Sequence, residues 1–572
     1  MGLSLEYVAA LMRLGFYFIL FHIGNVIIQF WPNIERPSVK LKQGTVHGVT
    51  SKLPNGKRYH YFKSIPYAKP PVGNLRFQPP VPLEKFNSSS IKCCSDKGFA
   101  VQDLVISQWP IFGTEDILYL NVFTPGLPNE TSTTYPVMVY IHGGGYRYGT
   151  ASAFLFDPKH LVQEAVVVVT IYYRLGPLGF LCLPNAGISG NAGLKDQLLA
   201  LRWVKGNIHH FAGDANNVTL FGESAGAWSS YLHYLSPNSR KYFHRVICQS
   251  GDSCSNAMIQ TDPEAKARTL ARVLGCESSN DSEILAFLTK CSAREIVSHQ
   301  DDVVGPHEEG LFRRFVFRPV IEQQLTDESI ITKPPAELLK EFDTLRMPII
   351  TGCTTAEGTL ALELNKRRLQ ECNKHLEWLA PKFIDYPGQF ERERAGKKVK
   401  QFYLGDKDIT WNSINEACKL MSDVTFIGSS LLSAQLISKY QPNVKHYYYS
   451  FAYRGRFNYI DKCMNLGQIE GVSHGDDILY TFSPLLLPIL RDDSDEYHIR
   501  DIYVKLITNF AKFSNPTPTE TLLGFKWTSV EPVSKTSKPF VLSCLDITQP
   551  PQMVLNPNQK RLEFMMDLIK EY

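Results

Sequence analysis

The sequence lacks several features that would place it in a simple class of protein. Its 12 cysteines include no C-x-x-C pair and are irregularly spaced, which argues against a zinc site or a disulfide scaffold. The net charge is only +4 over 572 residues and the basic residues are dispersed, so nothing indicates a nucleic-acid-binding surface. There is no internal repeat and no low-complexity linker. We therefore expect no bound metal, no cofactor and no nucleic-acid partner.

What the chain does have is the composition of an ordinary globular protein. It is 44% hydrophobic and 20% charged, which excludes a disordered or fibrous protein. The length allows several domains, but large α/β folds often keep one sheet and grow by insertion. We expect one domain over residues 36–572.

The N-terminal segment departs from this average. Residues 14–31 (LGFYFILFHIGNVIIQFW) are mostly apolar and follow Arg13. His22, Asn25 and Gln29 are costly at bilayer depth, which favours a signal peptide over a permanent membrane span. No clean A-x-A cleavage site follows, so an uncleaved signal anchor stays open. Residues 1–31 therefore predict a secreted protein, or one held in the ER lumen or anchored to the membrane.

One stretch organises the rest of the chain. Residues 217–228 (NVTLFGESAGAW) predict a short strand, a sharp turn and then a helix over residues 225–235. In such a nucleophile elbow the serine has a strained backbone, and strand and helix pass too closely for Cβ atoms on either side of it. Gly222 and Gly226 meet this demand around Ser224. The alternative is a loop serine between two packing glycines.

A second stretch, residues 471–475 (GVSHG), fits the same glycine-serine-glycine pattern. It follows polar residues and no β-forming run, so the strand-turn-helix context favours Ser224 as the nucleophile.

Several apolar runs predict strands of an α/β fold. They lie at residues 118–123, 136–142, 165–173, 218–221, 246–251, 348–352 and 444–453. A helix predicted over residues 193–208 gives a β-α-β order and hence a mostly parallel sheet flanked by helices. Residues 40–48 predict a small antiparallel sheet, residues 62–77 a proline-rich surface loop, and residues 355–441 a helical insertion that roofs the site.

A serine nucleophile needs an imidazole to take its proton and a carboxylate to orient that imidazole. In this fold the acid and then the histidine follow the serine along the chain. His474 lies in a glycine-flanked loop after the strand at 444–453, and Glu357 follows the strand that ends near Thr351. Both are therefore candidates, although a solvated or structurally satisfied side chain is the alternative for each.

The triple glycine at residues 143–145 follows a predicted buried strand. Its amides and the amide of Ala225 are suited to bind the oxyanion of a tetrahedral intermediate, which assigns an oxyanion hole to Gly144, Gly145 and Ala225. A flexible glycine turn is the alternative. Tyr146 follows the glycines, and we place it in the substrate pocket.

These residues belong to a larger set of motifs that resembles a known family. The motifs are FxxIPYA at 62–68, PPVG at 70–73, ED at 115–116 with LYLNV at 118–122, HGGG at 142–145, YRLGPLGF at 173–180, GN at 190–191 with GLKDQ at 193–197, GESAG at 222–226, EG at 357–358, GVSHGDD at 471–477, and NFAK at 509–512 before NP at 515–516. From about residue 40 to residue 568 the chain resembles the type-B carboxylesterases, the cholinesterase-like branch of the α/β-hydrolases. The resemblance implies a Ser224, Glu357 and His474 triad, the oxyanion hole given above, and a secreted or ER-lumenal protein.

The resemblance also implies roles for other residues. Glu223 matches the family's buried acidic residue beside the nucleophile. Cys276 and Cys291 match a family disulfide, which would close a loop of about fifteen residues worth up to roughly 3 kcal/mol. Sequons in polar stretches at Asn87, Asn129 and Asn280 are candidate glycosylation sites.

The chain departs from the family pattern at four places. Ile117 replaces a usual cysteine, which removes the partner of Cys93 or Cys94. Asn256 stands where many insect-type relatives carry a tryptophan that lines the acyl part of the substrate pocket. Trp228 is expected to refill some of the volume of that tryptophan; the alternative is that it only packs in the core. The glutamine that precedes the serine in hormone esterases is absent.

We therefore expect a serine carboxylesterase that acts on small-molecule esters through an acyl-enzyme. The alternatives are a non-catalytic adhesion or binding member of the same fold, and a lipase or amidase with the same triad.

Overall fold

The computed structural model describes most of the chain from residue 35 onward. The described residues are 19, 23–24, 27–28, 35–104, 110–252, 258–305, 310–341, 345–460, 464, 466, 469–484, 493–519, 523–533 and 540–572. Asn256 and most of the predicted signal segment lie outside them.

Eleven of the described strands form one central sheet in the order β14-β13-β12-β11-β10-β9-β7-β8-β6-β4-β3. Its strands are β3 (Val49–Lys52), β4 (Arg58–Pro66), β6 (Tyr119–Thr124), β7 (Tyr135–Ile141), β8 (Val167–Ile171), β9 (Gly213–Glu223), β10 (Arg245–Gln249), β11 (Ile349–Thr354), β12 (His446–Phe451), β13 (Ser543–Ile547) and β14 (Gln552–Leu555). All pairs from β8 through β13 are parallel, and the outer pairs are antiparallel. The predicted mostly parallel α/β sheet is confirmed. A separate sheet joins β1 (Ser38–Leu41), β2 (Gly44–His47) and β5 (Ser90–Lys92).

The central strands are buried on both faces because their side chains point alternately into two cores. In β7, Val137, Val139 and Ile141 belong to the core on one face, whereas Met138 and Tyr140 belong to the core on the other. This explains why the strand is an almost unbroken apolar run.

Helices cover both faces. They span Lys159–Gln163, Gly176–Phe180, Ala192–Asn207, Ala225–Leu235, Pro237–Arg240, Pro263–Val273, Asp281–Lys290, Ala293–Ser298, Pro335–Glu341, Gly358–Leu364, Gln389–Leu404, Ile414–Ser422, Gly428–Tyr440, Ile478–Thr481, Asp495–Phe513 and Gln559–Glu571. The helices between residues 358 and 440 form the predicted insertion, with a core of their own. A π-helical turn, Asp423–Ile427, joins two of them.

The predicted loop over residues 62–77 is wrong for its first part. Residues 62–66 are the end of β4, which pairs with β6. The pairing register shifts between Phe62 and Ile65, and Ser64 between them has a φ of 59°. This bulge lets the strand continue into Pro66, so the proline-rich sequence starts at a strand end and not in a free loop.

One helical stretch of the described chain, Trp411–Tyr440, is long and apolar enough to cross a membrane. Because 72% of its most apolar window is buried inside the protein, it has the position of a core helix.

Candidate active site

The elbow forms where β9 ends and the helix Ala225–Leu235 begins. Ser224 lies between them with φ 55° and ψ −124°, a conformation that is strained for a residue with a side chain. Neighbouring hydrogen bonds hold it there: its amide donates to the carbonyl of Gln249 at 2.8 Å, and its carbonyl accepts from the amide of Trp228 at 2.9 Å. The predicted strand, turn and helix are all present.

The flanking glycine on the helix side is required by close packing. A Cβ atom on Gly226 would lie 2.0 Å from the carbonyl oxygen of Ile141 in β7. Such a contact is far inside van der Waals distance, so any side chain would displace the helix from the sheet.

His474 and Glu357 meet although 117 residues separate them. Nδ1 of His474 is hydrogen-bonded to Oε2 of Glu357 at 2.5 Å. The other carboxylate oxygen of Glu357 accepts from the hydroxyl of Ser250 at 2.5 Å and from the amide of Thr354 at 2.7 Å. Glu357 is fully buried, so these three donors replace the water that its charge would otherwise bind.

Backbone contacts fix the two loops that carry this pair. The amide of Ala356 donates to the carbonyl of Val472 at 2.9 Å, and the amide of His474 donates to the hydroxyl of Thr359 at 3.2 Å. The acid and the histidine are thus held to each other by main chain as well as by side chains.

Glu223 places a second carboxylate beside the imidazole. Its Oε1 lies 3.2 Å from Nε2 of His474, within ion-pair distance, but this oxygen has no hydrogen-bond partner in the described structure. Burial raises the pKa of Glu223 to about 8. Burial lowers the pKa of His474, but the charges of Glu357 and Glu223 outweigh it and raise this pKa above its usual value. Within the described residues, the Ser224 hydroxyl makes no hydrogen bond to His474.

The glycine loop after β7 lies against the elbow. A Cβ atom on Gly143 would be 3.1 Å from Cβ of Ser224, so this loop borders the serine. Gly144 and Gly145 have φ values of 107° and 63°, which residues with side chains rarely adopt. In the described part of the chain, the amides of Gly144, Gly145 and Ala225 donate to no protein acceptor. They are therefore free to bind a negatively charged oxygen.

The predicted pocket residues have different fates. Tyr146 is fully buried and packs edge-on against Phe180 with ring centroids 5.0 Å apart, so its pocket role stays a prediction. Trp228 is 5% exposed and stacks on Phe426, with ring centroids 5.3 Å apart. Asn256 lies outside the described residues.

Two residues in the site were missed from the sequence. Ser250, which bonds Glu357, follows β10 directly, and its place at a strand end next to the elbow strand was a usable signal. Phe426, whose ring centroid is 4.5 Å from that of His474, lies in the π-helical turn and has no local signature.

The predicted disulfide is not formed in the structure, which has Cys276 and Cys291 as free, partly exposed thiols. The Cys291 thiol instead donates to the carbonyl of Phe287 at 3.5 Å, one helical turn back. Both cysteines nevertheless pack against the same core. Their pairing stays a prediction.

The three predicted glycosylation sites, Asn87, Asn129 and Asn280, are all exposed. Asn280 also begins a helix, since its side-chain oxygen accepts from the amides of Ser282 and Glu283. A glycan on the side-chain nitrogen is compatible with this cap.

Comparison with known proteins places the chain in a family. Residues 35–565 match the model of the Carboxylesterase family. The juvenile hormone esterase of Tribolium castaneum is 33% identical over 87% of this chain and 86% of its own length. A carboxylic ester hydrolase of Bombus ignitus is 31% identical over 88% of this chain and 90% of its own.

A solved structure agrees with these relatives. The crystal structure of juvenile hormone esterase from Manduca sexta, with OTFP covalently attached, matches with a TM-score of 0.81 and 25% identity, covering 94% of this chain and 100% of that one. The chain therefore has the α/β-hydrolase fold, belongs to the carboxylesterase family and hydrolyses carboxylic esters.

Proposed function

We propose that hydrolysis proceeds through an acyl-enzyme on Ser224, with His474 as general base and Glu357 as the carboxylate that orients it. The observation that carries this proposal is the buried hydrogen bond between His474 and Glu357, placed beside a serine held in the elbow conformation. Glu357 fixes Nδ1 as the protonated nitrogen and leaves Nε2 to accept the serine proton.

Ser224 then attacks the ester carbonyl, and the amides of Gly144, Gly145 and Ala225 stabilise the oxyanion. For the first step, Nε2 of His474 has to exchange its contact with Glu223 for one with the Ser224 hydroxyl. Catalytic hydrogen bonds of this kind commonly tighten only when substrate is bound. The intermediate then expels the alcohol, which takes the proton from Nε2 of His474. Water, deprotonated by His474, attacks the acyl-enzyme and releases the acid, and the proton returns to the Ser224 hydroxyl.

The test is Ser224→Ala, assayed with a p-nitrophenyl ester. We expect kcat/KM to fall by about four orders of magnitude or more, because no other nucleophile replaces the hydroxyl. Ser473→Ala is the matched control, since Ser473 occupies the second glycine-serine-glycine match, and it should stay within about tenfold of wild type. A fluorophosphonate probe should label Ser224 in wild type. If Ser224→Ala keeps its activity, or if the probe labels a residue other than Ser224, the assignment is contradicted.

We propose further that the protein is one secreted domain. The exposed sequons support this, and so do the two cysteines that pack against the same core and the likeness to venom carboxylesterase-6 of Apis mellifera, 31% identical over 86% of this chain and 88% of its own length.

For the substrate we propose esters with an apolar group. The support is the aromatic surroundings of the site: Trp228, Phe426 and His474 form a continuous stack beside the nucleophile. A panel of esters varying in acyl and alcohol length tests this, and a preference for charged or strongly polar groups contradicts it.

A further inference from the structure

Phe426 occupies an unusual position in the chain. It is the fourth residue of the π-helical turn Asp423–Ile427, which interrupts the helical stretch between Ile414 and Tyr440. A π-turn inserts one residue into a helix, at a cost in stability, and such turns are frequent at functional sites. The insertion changes the direction of the side chains within the turn relative to a regular helix.

The contacts of Phe426 explain what this direction achieves. Its ring is 3% exposed and faces the imidazole of His474, with centroids 4.5 Å apart and planes at 38°. Trp228 stacks on it at 5.3 Å and 20°, and Phe312 meets it edge-on at 5.8 Å. Two aromatic neighbours therefore pack against the ring and hold it in contact with the histidine.

The same π-helical turn also borders a cavity. Asp423 and Ile427 line a cavity of about 220 Å³ whose wall also includes Thr354 and Thr355, just before Glu357. The lining of this cavity contains no residue of the proposed triad. Asp423 and Ile427 of the turn thus border this cavity, whereas Phe426 packs against His474.

We infer that Phe426 is a positioning residue for His474: its ring fixes the plane of the imidazole and favours the imidazolium that forms during catalysis. The inference rests on the proposed role of His474 as general base. Glu357 hydrogen-bonds one ring nitrogen and Glu223 lies near the other, but both contacts are at the ring edge; Phe426 packs against the face of the ring. The face of an aromatic ring also attracts a cation at this separation.

Other groups around the histidine set the background for any pH effect. Glu357 and Glu223 contact its two nitrogens, Asp477 is the third nearby carboxylate, and the Phe426 ring is uncharged. Loss of the ring therefore removes a stabilisation of the imidazolium without changing the number of charges.

Phe426→Leu tests the inference, because it removes the aromatic face and keeps most of the volume. With p-nitrophenyl butyrate we expect kcat to fall about threefold to thirtyfold while KM changes less than about twofold. The acid limb of the kcat/KM profile should move to lower pH, since the imidazolium is less stable. Phe426→Tyr should retain both the wild-type kcat and the wild-type profile.

Phe383→Leu is the matched control. Phe383 is a buried residue of the same roof and packs against Gly428, which directly follows the π-turn. It should lower thermal stability as Phe426→Leu does, but leave the pH profile unchanged. Should Phe426→Leu not fold, Phe426→Met is judged by the same criteria.

An unchanged acid limb and kcat in Phe426→Leu, or an equal change in Phe383→Leu, overturns the inference. Fluorophosphonate labelling separates this result from a failure of the proposed triad. If wild-type protein hydrolyses esters but the probe does not label Ser224, the proposed triad is contradicted. If the probe labels Ser224 in wild type and Phe426→Leu keeps the wild-type kcat and acid limb, only the role of Phe426 is contradicted.

Discussion

Three carboxyl side chains lie around His474 and affect its protonation. Glu357 and Glu223 flank its two nitrogens, and Asp477, whose pKa burial raises to about 6, adds a third carboxylate. Burial raises the pKa of Glu223, and the neighbouring carboxylates raise the pKa of His474, so the two groups titrate as a coupled pair.

Glu223→Gln should release the histidine from this coupling. A carboxylate stabilises the imidazolium and raises its pKa, so the neutral amide should lower the pKa of His474. The acid limb of kcat/KM should then move to lower pH by roughly one to three units, the range expected for unit charges about 4 Å apart between full and partial screening by water. The measurement is a pH profile of ester hydrolysis.

Glu363→Gln is the control for this profile, since Glu363 is another largely buried carboxylate but pairs with Lys366. If both variants keep the wild-type limb, Glu223 does not control the protonation of His474.

Side chains differ in how far the sequence could identify them. Ser224 directly follows β9 and Glu357 lies three residues after β11, whereas His474 lies in a loop well beyond the end of β12. Sheet topology brings the carboxyl ends of such strands to one edge. Phe426 could not be found, because its contact depends on a π-turn between two ordinary helices. The packing of Trp228 was left open for the same reason, since its partner is Phe426.

Among the elements, the elbow is tightly constrained because its helix begins almost in contact with the neighbouring strand β7. A Cβ atom on Gly226 would meet the Ile141 carbonyl oxygen at 2.0 Å. We expect Gly226→Ala to lower the free energy of unfolding by about 1–3 kcal/mol, as overpacking does, and to abolish fluorophosphonate labelling. Differential scanning calorimetry and the probe measure the two effects.

Gly206→Ala is the matched substitution. Gly206 lies in the helix Ala192–Asn207 with nothing within 4 Å of its would-be Cβ, so alanine should be neutral or stabilising by up to about 1 kcal/mol. If the Gly226→Ala variant is as stable as wild type and the fluorophosphonate probe still labels it, the elbow is less tightly packed than in the structure.

Strands were most predictable where they are long apolar runs. The parallel strands at the centre of the sheet are such runs and were located within a few residues. The edge strands β3 and β14 are four residues long and carry exposed residues, so period and composition did not reveal them. β13, which pairs with both β12 and β14, is buried but only five residues long, and it was missed as well. β4 was hidden by the prolines near its end and by its bulge.

For the molecule as a whole, the sheet and the roof have separate cores. The two faces of the sheet and the insertion between residues 358 and 440 each enclose a distinct cluster of buried apolar residues. The sequence indicated the insertion and its helical character. The shape of the pocket beneath it depends on how those helices dock, which is a matter of long-range packing that no local pattern encodes.

The secretory route is a prediction about the whole protein, because it decides which groups are modified. In protein recovered from the medium of secreting eukaryotic cells, we expect glycans at the exposed sequons and a bridge between Cys276 and Cys291. Glycosidase treatment followed by non-reducing peptide mapping measures both. The exposed sequons are Asn87, Asn129 and Asn280.

The chain carries its own control for this measurement in the sequon at Asn217. The Asn217 side chain accepts a hydrogen bond from Arg245 at 2.5 Å, and Val218 and Thr219 after it are buried in the strand that leads to the nucleophile. A glycan on Asn217 would keep this strand from taking its place in the sheet. Asn217 should therefore be unmodified in active enzyme. Occupied exposed sites with a bare Asn217 fit a protein that folds as described and passes through the secretory pathway. Bare asparagines throughout, together with Cys276 and Cys291 that alkylate without reductant, would instead indicate a protein that never left the cytosol.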